Sequence, residues 1–85
     1  MKDAARLFVS RGVKAVGIDS ASLDEGECKS FDAHRIILSG GCYGIENINS
    51  EISRVPEKGA TIIIAPIKIK GGSGAPARVV ALIPI

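Results

Sequence analysis

The spacing of apolar residues changes several times along the chain, and each change marks the edge of an element. Between Lys2 and Arg11, Ala4, Ala5, Leu7 and Phe8 fall on one helical stripe, and Gly12 stands where a left-handed residue would end a short amphipathic helix. Val13 to Ile18 is a β-branched run closing on Asp19-Ser20, which predicts a buried strand beginning near Lys14. Ser20 to Ser30 mixes small, acidic and glycine residues without a period and reads as a surface loop. Ser30 or Asp32 is then placed to cap a helix running through His34, Ile37 and Leu38 to Gly40-Gly41.

Tyr43 to Ile45 is a short extended segment. Asn47 to Arg54 is helical or turn-like until Pro56 and Gly59 stop it, and Glu46 falls at the junction. The last third carries two strand signals, Thr61 to Ile69 and Ala77 to Ile83, predicted to be neighbours in a sheet. Thr61-Ile62-Ile63-Ile64-Ala65 does not alternate, the pattern of a strand covered on both faces. Without a repeat, a low-complexity tract or a dividing linker, the pattern predicts one domain over residues 1–85, an α/β unit with a mixed sheet and two or three short helices.

Composition narrows the function classes. With 46% hydrophobic residues the chain is too apolar to be disordered, and at 85 residues it would bury only about 60–65% of its unfolded surface, so a partner surface is easily accommodated. Its 11 basic and 9 acidic residues are dispersed, with no basic face and few aromatics, which argues against nucleic acid as a ligand. The longest apolar run, Ala60 to Ile67, is far short of the roughly 20 residues of a membrane helix, and no signal-peptide pattern opens the chain, so a soluble cytoplasmic protein is expected. Cys28 and Cys42 lack metal-binding or redox spacing and are expected to be free thiols.

Chemistry has few places to reside. The single histidine, His34, precedes Glu46 by twelve positions, and an imidazole and a carboxylate can together ligate Zn²⁺ or Mn²⁺. By themselves the two are more readily a solvated or core-edge histidine and a solvent-facing carboxylate. Gly71-Gly72-Ser73-Gly74 lacks the Gly-Lys-Ser/Thr ending of a phosphate loop and precedes a strand, so it reads as a flexible connection. Asp19, Ser20, Ser22 and Asp24 could build a hydrogen-bonded loop near such a site, although Asx and Ser turns at a strand end are their commoner use, and they are given no catalytic role. Arg78 could position an anionic substrate group, although at the start of an apolar strand it is more readily structural.

The order of segments adds what spacing does not. Gly17-Ile18-Asp19-Ser20-Ala21-Ser22-Leu23-Asp24, then His34-Arg35, then Gly44-Ile45-Glu46-Asn47-Ile48, then Pro66-Ile67-Lys68-Ile69, and last Gly72-Ser73-Gly74-Ala75-Pro76-Ala77-Arg78-Val79-Val80-Ala81 follow one another along nearly the whole chain. This succession resembles the C-terminal part of the cyclase family, the kynurenine formamidase-like metal-dependent hydrolases.

The resemblance implies an incomplete swivelling β/β/α-like fold and a divalent metal, zinc or manganese, used to hydrolyse amide-type C–N bonds in substrates such as formylkynurenine and isatin. It also implies that His34 and Glu46 are catalytic and metal-ligating. The family's other ligands come from a motif His-x-Gly-Thr-His-x-Asp-x-Pro, to which nothing in this sequence corresponds. The expected partner is therefore an N-terminal half-chain carrying those ligands, or a further copy of this chain in a homo-oligomer, with a small amide as substrate. The alternative is a non-catalytic remnant of the fold that serves as an assembly module.

Overall fold

The computed structural model describes residues 2–26 and 29–85. Its elements are helices α1 (Lys2–Ser10) and α2 (Asp32–Ser39), strands β1 (Ala15–Gly17), β2 (Tyr43–Ile45), β3 (Thr61–Pro66) and β4 (Ala77–Leu82), and a 3₁₀ turn at Ser50–Arg54. They gather into two compact units, residues 1–52 and 53–85, where the sequence pattern implies a single α/β domain.

In the first unit β1 and β2 pair in parallel, Ala15 opposite Tyr43 and Gly17 opposite Ile45. Parallel neighbours need a long crossover, and α2 with the loop before it provides one. The ladder extends past the strands, because Ile18 N–H donates to Ile45 O and Asn47 N–H donates to Ser20 O. Both helices close as the glycines predict: Val13 N–H reaches Phe8 O around Gly12 (φ 70°), and Cys42 N–H reaches Ile37 O around Gly41.

The core is small. Ala5, Leu23, Ala33, Ile37 and Cys42 are buried, with Val9, Val16, Ile18 and Ile36 packed against them. The α1 stripe differs from the expected one, since Leu7 stands out to solvent while Ala5 and Val9, one turn apart, face the core. The Cys42 thiol donates to Val13 O and is free of any disulfide, the state expected of it. Cys28, also expected to be free, lies outside the described residues.

In the second unit β3 and β4 form an antiparallel pair, Thr61 opposite Leu82 through Pro66 opposite Ala77, so the two strand signals are neighbours as expected. The double-sided burial expected of β3 is absent: Ile62 and Ile63, on opposite faces, are 45% and 48% exposed. Two strands have no second layer of their own to cover them, and the non-alternating pattern of Thr61 to Ala65 records a covering that this pair does not itself supply.

Candidate functional site

The parallel ladder of the first unit sets the position of Glu46. It follows β2, between the ladder bonds of Ile45 and Asn47, and Asn47 takes a left-handed conformation (φ 58°) that asparagine tolerates and that turns the chain away. Glu46 Oε2 accepts the Leu23 N–H at 2.9 Å. Leu23 is itself buried, and Gly44 makes that possible: a Cβ on Gly44 would lie 2.6 Å from Leu23 Cδ1. The segment Ser20 to Asp24 is further pinned by Ser20 Oγ donating to Ser22 O and by Asp24 N–H donating to Ser22 Oγ.

Pinning the loop delivers Asp24 to the start of α2. Its Oδ1 accepts Ala33 N–H at 2.8 Å and its Oδ2 accepts His34 N–H at 3.1 Å. These amides belong to the first helical turn, whose donors have no partner within the helix. The cap expected from Ser30 or Asp32 is therefore supplied by Asp24. The flanking residue is Phe31, left-handed and without a side-chain cap, and Ser30 Oγ donates to Asp32 Oδ1.

The same Asp24 Oδ2 lies 2.7 Å from His34 Nδ1. Burial works against a charge on Asp24, but hydrogen bonds from the His34 ring and from the Ala33 and His34 amides, with the attraction of the imidazole, outweigh it. They hold its pKa at about 2, below the ordinary 3.8. Asp24 is thus an ionised, nearly inaccessible acceptor whose two oxygens face three N–H groups. The turn-forming serines read from the sequence are present, yet Asp24 reaches beyond its own turn. A carboxylate bonding a helix eight to ten residues onward carries no local signature, and only an Asp ahead of an uncapped helix start could have hinted at it.

His34 and Glu46, the two site residues expected from the sequence, are brought together: Nε2 lies 3.4 Å from Oε2, and both side chains are partly exposed. In a neutral ring whose hydrogen is on Nδ1, the Nε2 lone pair faces the Glu46 carboxylate. Two lone-pair donors so placed repel unless a cation lies with them. Ligand bonds of about 2.0–2.2 Å at a tetrahedral angle set two donor atoms about 3.4 Å apart, so the pair fits two positions on one divalent ion. Among the described residues no third His, Cys, Asp or Glu completes a metal-binding group. The Phe31 ring stands edge-on to the His34 imidazole, with centroids 5.7 Å apart. An open cleft of about 370 Å³, lined by Ile18 and residues 20–26, runs along the Asp24 loop.

Arg78, expected as a substrate-positioning residue, lies exposed on β4 in the second unit, opposite Ala65. The contacts joining Asp24, His34 and Glu46 all lie in the first. The Gly-rich segment after Ile69 connects β3 to β4 as expected, with Gly72 N–H donating to Ile69 O.

No protein-family model matches the chain. It is 31% identical over 86 residues to an isatin hydrolase of Roseibium aggregatum, covering 96% of this chain and 32% of that protein. It is 34% identical over 82 residues to a kynurenine formamidase of Paracidovorax citrulli, covering 96% and 37%. A solved structure described as a potential metal-dependent hydrolase with cyclase activity superposes with a TM-score of 0.80 at 32% identity, over 93% of this chain and 38% of the other. A solved structure described as a predicted metal-dependent hydrolase from Bacillus stearothermophilus gives the same score over 37% of its length. The chain thus spans about a third of the relatives it matches. No helix among its described residues is long and apolar enough to cross a membrane. In sequence and in fold the chain is thus similar to about a third of the length of cyclase-type metal-dependent hydrolases, with a kynurenine formamidase and an isatin hydrolase among its relatives, and it carries that portion of their fold.

Proposed function

We propose that this chain is the C-terminal part of a metal-dependent hydrolase of amide-type C–N bonds, bringing His34 and Glu46 to a centre whose other ligands come from a second polypeptide. The observation that carries the reading is the 3.4 Å approach of His34 Nε2 to Glu46 Oε2, two donors spaced for one cation. A divalent ion there, zinc or manganese, would supply Lewis-acid polarisation of a carbonyl and a lowered pKa for water.

The chain's own residues hold and orient. Glu46 is fixed by the Leu23 amide, and His34 is held through Nδ1, which leaves Nε2 to ligate the ion or, where it does not, to carry a proton. The cleft along the Asp24 loop offers space for a small amide such as formylkynurenine or isatin. Arg78, on the second unit, is a separate candidate for holding an anionic substrate group. Two protein ligands leave an ion mostly hydrated, whereas a catalytic zinc site has three and an open position, which favours further ligands from outside these residues. The exposed apolar faces of β3 and β4 are the natural seat for it, and the cytoplasm is the compartment proposed for the assembly.

The test is elemental analysis of the native protein and of His34→Ala and Glu46→Ala, with and without the N-terminal segment of the Paracidovorax citrulli relative, alongside formylkynurenine hydrolysis. Stoichiometric metal and activity that appear on mixing and vanish in both variants are expected. The other reading, a non-catalytic assembly module, is favoured by the lack of a third ligand among the described residues. It would prevail if mixing produced neither metal uptake nor hydrolysis.

A further inference from the structure

We infer that Asp24 is a positioning residue for His34: by accepting the Nδ1 hydrogen it fixes the ring as the Nδ1–H tautomer and presents Nε2 toward Glu46 as a lone-pair donor. The inference rests on reading His34 as a ligand, but its evidence is in the chain itself.

Two backbone N–H groups, of Ala33 and His34, and the His34 Nδ1 atom converge on one carboxylate that is 8% exposed. Its oxygens are committed, so Asp24 orients and does not ligate. The opposite tautomer would set the Nδ1 lone pair against an ionised oxygen at 2.7 Å. Its Nε2–H would gain only Glu46 Oε2 at 3.4 Å, beyond the usual 2.7–3.2 Å range of an N–H to O hydrogen bond. A carboxylate behind a histidine is a general way to fix which nitrogen stays free for a metal. Here one loop serves both ligands, because the Leu23 amide holds Glu46 while the adjacent Asp24 holds His34. Ser22 and Ser20 keep that loop in shape.

The chain has one histidine, so its imidazole ¹⁵N signals need no assignment. On the intact metal-free protein, at a pH where the ring is neutral, Nδ1 is expected to be the protonated nitrogen in about tenfold excess or more, the ratio an ordinary charge-assisted hydrogen bond gives. In Asp24→Asn the amide oxygen can still accept Ala33 N–H, so α2 keeps one of its two caps, while the NH₂ group replaces the acceptor facing both the ring and the His34 N–H. The excess should fall at least about tenfold, with helix content by circular dichroism unchanged. A native ring that is mainly the Nε2–H tautomer overturns the inference, and this holds even if the variant fails to fold. So does a folded Asp24→Asn that keeps the native tautomer ratio. Zinc added to the native chain tests the ligand reading separately: a shift of the Nε2 signal with Nδ1–H retained supports both. An Nδ1–H ring that zinc does not move upholds the role of Asp24 and removes that of His34 as a ligand.

Discussion

The two units of this chain use their apolar residues in opposite ways. The first buries few side chains but buries them fully: Ala5, Ala33 and Ile37 are inaccessible, and Leu23 nearly so. The second has a denser run of Ile and Val, yet Ile62, Ile63, Val80 and Leu82 are all more than a third exposed. Hydrophobicity along the chain therefore does not locate the core. What decides is whether an element has a second layer within the unit, and α1 and α2 provide one for β1 and β2. The site sits in the unit that has its layers, where three side chains can be held in fixed geometry.

The largest expected effect tests that difference directly. Ile37→Ala should cost about 2–5 kcal/mol, because Ile37 is the one large side chain fully buried among the described residues of the first unit. That is a sizeable part of the stability of any small domain. Urea unfolding followed by the fluorescence of Tyr43, which follows α2 on β2, would show it. A cost under about 1 kcal/mol would mean that the small core does not hold the unit together.

Next comes the contact that seats the site loop. Gly44→Ala forces Leu23 to move, and overpacking of this kind costs about 1–3 kcal/mol. Since the Leu23 amide holds Glu46, the same substitution should weaken zinc binding by the native chain in calorimetry. Loss of stability with unaltered zinc affinity would separate the loop from the site.

The acid limb of stability should belong to the first unit and largely to Asp24. Its pKa is about 2 in the folded chain and 3.8 ordinarily, so on acidification the unfolded chain binds the proton first. The stabilisation is whole above 3.8 and is lost as pH falls toward about 2. Urea midpoints across that window should fall more steeply for the native chain than for Asp24→Ala. Parallel curves would mean that the carboxylate does not hold its three N–H donors when folded.

How far the sequence could be read follows from the same contrast. Period and punctuation placed both helices, all four strands and the glycines that end α1 and α2, because each depends on residues a few positions apart. His34 and Glu46 were legible as a pair only through the order of segments along the chain. Asp24 was not legible, since bonding Ala33 and His34 requires the loop to close across residues that carry no periodic signal. The exposure of β3 was misread for the reverse reason. Its pattern reports a covered strand, and a pattern does not say whose residues do the covering.

The smallest effect on the isolated chain is expected where the sequence is most apolar. Ile63 is half-exposed, opposite Val80, on the face that alternation gives also to Arg78 and Leu82. Ile63→Thr keeps a β-branched side chain, so unfolding should change by no more than about 0.5 kcal/mol. Association should respond instead: if this face receives a second polypeptide, sedimentation velocity of the mixture should show a weaker complex for the variant, while the chain alone sediments as before. A destabilisation approaching that of Ile37→Ala would break the comparison, because it would mean that this face of the hairpin is already covered within the chain.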